Sequence, residues 1–120
     1  MSLLRLAVKK GAYGYFNITF DTHSIPTSKK LSDYSFRWGL QRTLTQSEPN
    51  LILDSDVVPD QFAIQSSQSV LLTTIPDNTV NLIPGAYYWE FLLYESNNPS
   101  ADLLSPPVSY GDLILLESIL

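Results

Sequence analysis

The chain of 120 residues contains no cysteine and little charge. The lack of cysteine excludes disulfides and thiolate metal ligands. Charged residues make up 16% of the chain, whereas about 25% is usual in soluble domains. The polar surface must therefore consist largely of Ser, Thr, Asn and Gln. Seven basic residues against twelve acidic ones give a net charge of −5. Because no basic cluster could follow a phosphate backbone, we expect no nucleic-acid partner.

Long apolar runs are also missing. None approaches the ~18 residues that a membrane-spanning helix needs. The short apolar stretch at the N-terminus is interrupted by Arg5, and its charges follow the stretch, which is the wrong order for a secretory signal. We therefore predict a soluble protein with no membrane partner. The length is typical of one domain, spanning 1–120, which can bury a core without covalent staples.

Helical periodicity is absent as well, and the apolar residues recur at every second position instead. The alternation is clearest in residues 4–9, 15–20 and 34–41, and it is typical of strands with one buried and one solvated face. Pro, Gly and Asn-rich turn signals separate these runs, and short helical turns could form near 57–61 or 100–104. The pattern predicts an all-β fold, an immunoglobulin-like β-sandwich of about seven or eight antiparallel strands.

The segment "NLIPGAYYWEFLLYE", residues 81–95, concentrates aromatic side chains behind a Pro-Gly pair. On alternation, Tyr87, Trp89 and Phe91 share one wholly apolar face, which we interpret as the core face of a central strand and not as a ligand platform. A Tyr two residues after the glycine suits a corner in which its hydroxyl bonds back to the backbone. The predicted core residues are Phe16, Ile18, Phe36, Trp38, Tyr87, Trp89 and Phe91.

The opposite face of this strand is more apolar than exposure to water requires. It could be a contact surface, or it could lie beneath a loop, and both readings stay open. Two further tyrosines fall on the outward face of another strand. The candidate interface residues are Tyr13, Tyr15, Tyr88, Leu92 and Tyr94.

The one histidine, His23, has Asp21 and Ser24 as neighbours. These are the residue types of a catalytic triad, but proximity in the chain is not triad geometry, and no nucleophile-elbow motif is present. We interpret His23 as a loop residue. The sequence also lacks the glycine-rich motifs that bind phosphates or dinucleotides. We expect no enzymatic activity and no cofactor.

The stretch "LDSDVVPDQ" brings three carboxylates together in sequence, Asp54, Asp56 and Asp60. Clustered carboxylates suit hard cations, but the glycine and bidentate glutamate of an EF-hand loop are missing. Asp and Ser are also ordinary turn residues, and turn chemistry is the interpretation we favour, with an opportunistic cation as the alternative. No metal site is predicted.

The second half of the chain reads "SVLLTTIPDNTVNLIPGAYYWEFLLYES", then a loop, then "GDLILLESI". This pattern resembles the small immunoglobulin-like domains of tailed-bacteriophage structural proteins, such as the N-terminal domain of baseplate upper proteins. The first half fits more loosely, through an aromatic strand followed by a polar turn. The residues that carry the resemblance are Asp77, Thr79, Leu82, Pro84, Gly85, Tyr87, Trp89, Gly111 and the strand Leu113 to Leu116.

The resemblance implies a non-catalytic structural protein of a phage or prophage virion, in the baseplate, tail or capsid surface, assembled in the host bacterial cytoplasm. Its partners would be other virion proteins, and it could form a homo-oligomer, since virion parts repeat by symmetry. The N-terminal strand could also dock by strand addition. Baseplate upper proteins continue beyond this domain, whereas this chain stops at Leu120, as a stand-alone module or a fragment. The alternative function is a carbohydrate-binding module that stacks sugars on exposed aromatic rings.

Overall fold

The structure, a computed structural model, describes residues 4–20, 30–43, 45–46, 48–95 and 109–117. These residues form eight β-strands, two 3₁₀ turns (Leu31–Asp33 and Pro59–Gln61) and one helical turn, α1 (Pro76–Thr79). The strands are β1 (Leu4–Lys9), β2 (Gly14–Thr19), β3 (Tyr34–Gln41), β4 (Leu51–Asp54), β5 (Phe62–Ser66), β6 (Ser69–Thr74), β7 (Gly85–Glu95) and β8 (Ser109–Leu116). None of the helices found in these ranges has the length and apolar character needed to cross a bilayer.

The strands form two sheets packed face to face. One has five strands in the order β1-β8-β7-β3-β4, and the other has three in the order β2-β6-β5. The predicted immunoglobulin-like β-sandwich is thus confirmed, with eight strands in the described residues. The expectation that all strands run antiparallel is wrong at one pairing, because β1 lies parallel to β8. Parallel neighbours need a long connection, and almost the whole chain separates these two strands.

The core lies between the sheets, where the inward residues of both sheets meet. All seven predicted core residues are buried. The Phe91 ring stacks on Phe36 from the same sheet at 5.7 Å between centroids and on Phe20 at 6.0 Å. Phe16 of β2 stacks on Trp38 of β3 at 6.4 Å. Because each buried aromatic removes about 150–250 Å² from water, these contacts are a main source of stability.

The turn into β7 has the predicted tyrosine corner. The Tyr87 hydroxyl donates a 2.5 Å hydrogen bond to the carbonyl of Ile83. Gly85 has a φ of 137°, a conformation that favours glycine. The Arg42 guanidinium lies over the Tyr87 ring, 5.2 Å from its centroid. These contacts fix where β7 begins, and therefore which of its side chains point inward.

The short helical turn expected near 57–61 is confirmed as the 3₁₀ turn Pro59–Gln61. It separates β4 from β5, as the proline predicted. Gln61 is buried there, and its side-chain amide donates to the carbonyl of Thr73 at 2.8 Å and to the Asn78 side chain at 2.9 Å. The other expected turn, near 100–104, lies outside the described residues, as does His23 with its neighbours Asp21 and Ser24.

Candidate binding surfaces

The five predicted interface residues fall on two different outer faces of the sandwich. Tyr88, Leu92 and Tyr94 belong to β7 and point away from the core of the five-stranded sheet. Tyr13 and Tyr15 lie just before and within β2, an edge strand of the three-stranded sheet. The structure therefore does not bring the five together, and it presents two separate candidate surfaces.

The outer face of the five-stranded sheet, called the five-strand face below, carries four large apolar side chains that are each 41–50% exposed. They come from three strands, and their positions alternate with the inward core residues. The four are Ile52 of β4, Tyr88 of β7, and Tyr110 and Leu116 of β8. Large apolar side chains exposed on one sheet face make that face a candidate contact surface.

Two rows of paired residues cross this face. In one, Ile52 pairs with Gly39, Gly39 with Glu90, and Glu90 with Tyr110. Because Gly39 has no side chain, the surface is lowest at this position, between Ile52 and Glu90. A Cβ added at Gly39 would meet nothing closer than Pro49 Cγ, at 3.9 Å. Larger side chains would therefore project from the face without disturbing the core.

The second row carries charge at one end. Gln41 pairs with Tyr88, Tyr88 with Asp112, and Asp112 with Arg5. Arg5 and Asp112 approach to 3.7 Å as an ion pair. A surface that mixes tyrosine, arginine and aliphatic groups with charges of both signs has the composition common in protein–protein interfaces.

Tyr94 does not belong to the accessible part of the five-strand face. It is 3% exposed, so its prediction as an outward contact residue is wrong. The sequence left open whether the outward residues of β7 form a contact surface or lie beneath a loop. Tyr94 lies beneath a loop, because the segment after β4 covers it. Leu92 is half-buried, and Tyr88, at 41% exposed, remains the accessible member of the three.

The residues that cover Tyr94 form a closed hydrogen-bonded network. The Tyr94 hydroxyl bonds to Asp54 Oδ1 and, at 2.9 Å, to Asp56 Oδ2. The Ser35 hydroxyl donates to Asp56 Oδ1 at 2.6 Å. Arg37 donates to Asp54 Oδ2 through Nε at 3.0 Å and Nη2 at 2.9 Å, and its guanidinium lies 5.3 Å from the centroid of the Tyr94 ring. Each carboxylate is thus bonded through both oxygens.

The network shifts the ionisation of two of its members. Burial by itself would raise the pKa of Asp54, but hydrogen bonds from Tyr94, the Asp56 backbone N–H and Arg37, together with the Arg37 charge, outweigh it and lower the pKa below 3.8. Burial and the hydrogen bonds to the two carboxylates raise the pKa of Tyr94 well above 10. Both shifts favour an ionised Asp54 carboxylate beside a neutral Tyr94 phenol, and this arrangement stabilises the fold.

The three carboxylates singled out in the sequence do not converge. Asp54 Oδ1 accepts the Asp56 N–H at 2.9 Å, which is the turn chemistry that we favoured. Asp60 belongs to the 3₁₀ turn that follows and is exposed. In the part of the chain that the structure describes, no three His, Cys, Asp or Glu side chains are grouped so as to hold a metal ion.

The second surface is a pair of parallel rings. Tyr13 and Tyr15 are 60% and 66% exposed. Their ring centroids lie 6.5 Å apart, and the ring planes differ by 9°. Thr73 of β6 pairs directly with Tyr15, and Asn17 follows on the same face of β2. The two rings therefore lie side by side at the edge of the three-stranded sheet, with neutral polar groups beside them.

Three of the exposed residues on the five-strand face, Ile52, Tyr110 and Leu116, were not among the sequence-based candidates. For the last two, the alternation within "SYGDLILL" was a usable signal, since Leu113 and Leu115 are the buried partners. For Ile52 there was no local signal, because the apolar run "LIL" does not show which side faces water. Its position is set by pairing with Gly39.

The comparisons with known proteins add little to this geometry. No family model matches the chain, and no curated protein matches it. Among solved structures, the chain is similar to one named Tim-2, with a TM-score of 0.46 and 14% identity over 100% of this chain and 97% of that chain. A likeness at this level supports no assignment of function or partner.

Proposed function

We propose that this protein is a non-catalytic structural component of a phage or prophage virion, and that it docks a neighbouring subunit through the five-strand face. The single observation that carries the docking role is the group of large apolar side chains exposed on that face, Ile52, Tyr88, Tyr110 and Leu116. The virion setting rests on the resemblance of the strand and turn residues in the second half of the chain.

The five-strand face suits a repeated contact between copies of this chain. Arg5 and Arg37 provide positive charge on it, and Glu90 and Asp112 provide negative charge. A face that carries both signs can pair with its own copy by a two-fold rotation, in which each patch meets its complement. A second copy is therefore the first occupant to test, and another virion protein is the next.

Strand β1 offers an additional contact. It is an edge strand of the five-stranded sheet and pairs with β8 on one side. Its other edge presents backbone groups that could pair with a strand of a neighbouring subunit. The strand addition suggested by the sequence thus remains part of the proposal, next to the five-strand face.

The test is the solution mass of the chain, measured by light scattering over a dilution series. We expect a discrete oligomer for the natural sequence. The variant Gly39→Arg should shift the mass to that of the monomer, because its side chain projects from the five-strand face between Ile52 and Glu90. Gly39→Ala is the matched control, since its methyl group fits the same space without projecting.

Two results would contradict the docking role in self-assembly. One is a monomer at every concentration for the natural sequence. The other is an oligomer whose mass Gly39→Arg leaves unchanged, which would place the contact elsewhere, with the β1 edge as the next region to mutate. Circular dichroism of each variant checks that the sandwich is intact.

A further inference from the structure

Tyr13 and Tyr15 present two flat, exposed rings on one face of the chain, at the spacing of alternate residues in a strand. Both rings are mostly exposed, yet they lie nearly parallel at 6.5 Å between centroids. Exposed tyrosine rings leave apolar surface in contact with water and contribute little to the core. A flat ligand that covered the ring faces would remove this surface from water.

The sheet that carries this pair has no charge. The strands β2, β5 and β6 contain no Asp, Glu, Lys or Arg at any position. Its outward side chains near the rings are Asn17, Thr73 and the partly buried Leu71, with Thr19 further along β2. The polar groups of Asn17, Thr19 and Thr73 can donate and accept hydrogen bonds, but they supply no positive charge to balance a phosphate or a carboxylate.

A ligand matched to these uncharged strands is flat, neutral and rich in hydroxyl groups. A nucleobase would stack on the rings, but single-stranded nucleic acid needs a positively charged groove for its backbone, which an uncharged sheet does not provide. A hexopyranose with equatorial hydroxyls presents C–H groups on its ring faces and hydroxyls around its edge. Its C–H groups suit the negative faces of the tyrosine rings.

We propose that Tyr13 and Tyr15 form a binding site for a neutral glycan of β-linked hexopyranose units. The two rings would stack on the sugar faces, while Asn17 and Thr73 would hydrogen-bond the hydroxyls at the edge of the sugar. This site lies on the opposite sheet from the five-strand face, and it goes beyond the structural role proposed above.

The test is an amide chemical-shift titration of the full-length ¹⁵N-labelled chain with cellohexaose and, separately, laminarihexaose. We expect a dissociation constant of about 0.1–1 mM for one or both, which is a modest affinity. The shifts should centre on Tyr13, Tyr15, Asn17 and Thr73. Tyr15→Thr, which keeps a β-branched residue in the strand, should weaken binding about tenfold, the size of one stacking contact.

Three further variants make the result specific. Tyr15→Phe keeps the ring and should bind within about threefold of the natural sequence, because stacking does not need the hydroxyl. Tyr13→Ser changes a residue that precedes β2, so it tests the second ring without altering a strand, and it should also weaken binding about tenfold. Tyr88→Thr removes an exposed tyrosine from the other sheet and should leave glycan binding unchanged.

Several outcomes would overturn the glycan site. They are the absence of shifts with both sugars at about 10 mM, shifts centred on the five-strand face, or equal affinity in Tyr15→Thr and the natural sequence. A Tyr15→Thr variant that changes the solution mass would show that the rings contact another copy of the chain, and it would also reject the glycan site. Because the docking test uses Gly39→Arg and a mass readout, either proposal can fail without the other.

Discussion

The two sheets of this sandwich differ in how they use charge. Every charged residue within a described strand belongs to the five-stranded sheet, while the 17 residues of β2, β5 and β6 include none. Both sheets nevertheless bury apolar residues against one shared core. The difference therefore lies in their outer faces: one carries charges of both signs, and the other carries no charge and has two exposed tyrosines at its edge. Folding constrains the inner faces and leaves the outer faces free to differ in composition.

The largest loss of stability should come from a substitution in the core, which both sheets share. Phe91→Ala removes a ring in contact with Phe36 and Phe20, and the cavity should cost about 3–5 kcal/mol of unfolding free energy. Leu92→Ala, its half-buried neighbour on the opposite face of β7, is the control and should cost clearly less. Urea denaturation followed by tryptophan fluorescence measures both. Equal losses would mean that the core does not depend on the inner face of β7.

The next prediction compares the two sheets through the effect of a glycine-to-alanine substitution in each. A Cβ at Gly14 of β2 would lie 2.6 Å from Thr74 Oγ1 and 2.9 Å from both Phe16 Cζ and Val8 Cγ2. Gly14→Ala should therefore destabilise the fold by about 1–3 kcal/mol through overpacking. Thermal unfolding with circular dichroism provides the measurement. An unchanged melting temperature would show that the start of β2 can move away from its neighbours.

The Tyr94 network should contribute less than the core but more than the open part of the five-strand face. Tyr94→Phe removes the one O–H that Asp54 and Asp56 share, and it should cost about 1–3 kcal/mol. Tyr88→Phe, on the same strand and face but 41% exposed, should cost close to nothing. If the two variants lost equal stability, the hydroxyl of Tyr94 would not be stabilising the segment after β4.

The hydrogen-bonded network around Tyr94 also predicts that the free energy of unfolding falls at acid pH. The pKa of Asp54 is lowered from 3.8 in the fold, so below that value the unfolded chain takes up its proton first. The stabilisation is therefore present above about pH 4 and is lost as the pH falls through the lower, folded value. Asp54→Asn should reduce this acid dependence in urea titrations between about pH 2 and 5. An identical slope in both proteins would contradict the assignment to Asp54.

The smallest predicted change in stability is a gain. Gly39→Ala places a methyl group in open space on the five-strand face, and it reduces the freedom of the unfolded chain. We expect a stabilisation of about 0.5–1 kcal/mol. Together with Gly14→Ala this forms a matched pair, because the same substitution should change stability in opposite directions in the two sheets. Destabilisation at Gly39 would mean that the backbone there needs a glycine.

Much of this fold could be predicted from alternation. Phe16 and Ile18 on β2, and Phe36 and Trp38 on β3, were placed in the core because strand side chains alternate with a period of two. The corner hydrogen bond from Tyr87 was predictable as well, from its spacing to Gly85. These are local properties, carried by residues a few positions apart.

The solvent exposure of individual tyrosines could not be predicted from alternation. Tyr88 and Tyr94 have the same outward phase on β7, yet one is open to solvent and the other is enclosed by Asp54 and Asp56, about forty positions away. Likewise, the parallel pairing of β1 with β8 joins the two ends of the described chain. Such contacts depend on how distant segments meet.

The amino-acid sequence by itself determined which residues form strands and which faces are buried, because alternation and burial act over neighbouring positions. The tertiary structure decided which strands share a sheet and which outward side chains stay open. It also separated the predicted interface residues into a mixed face and a neutral one. The physical reason is that exposure is a property of packing between segments distant in sequence, whereas the hydrophobic pattern records only the choice between inside and outside.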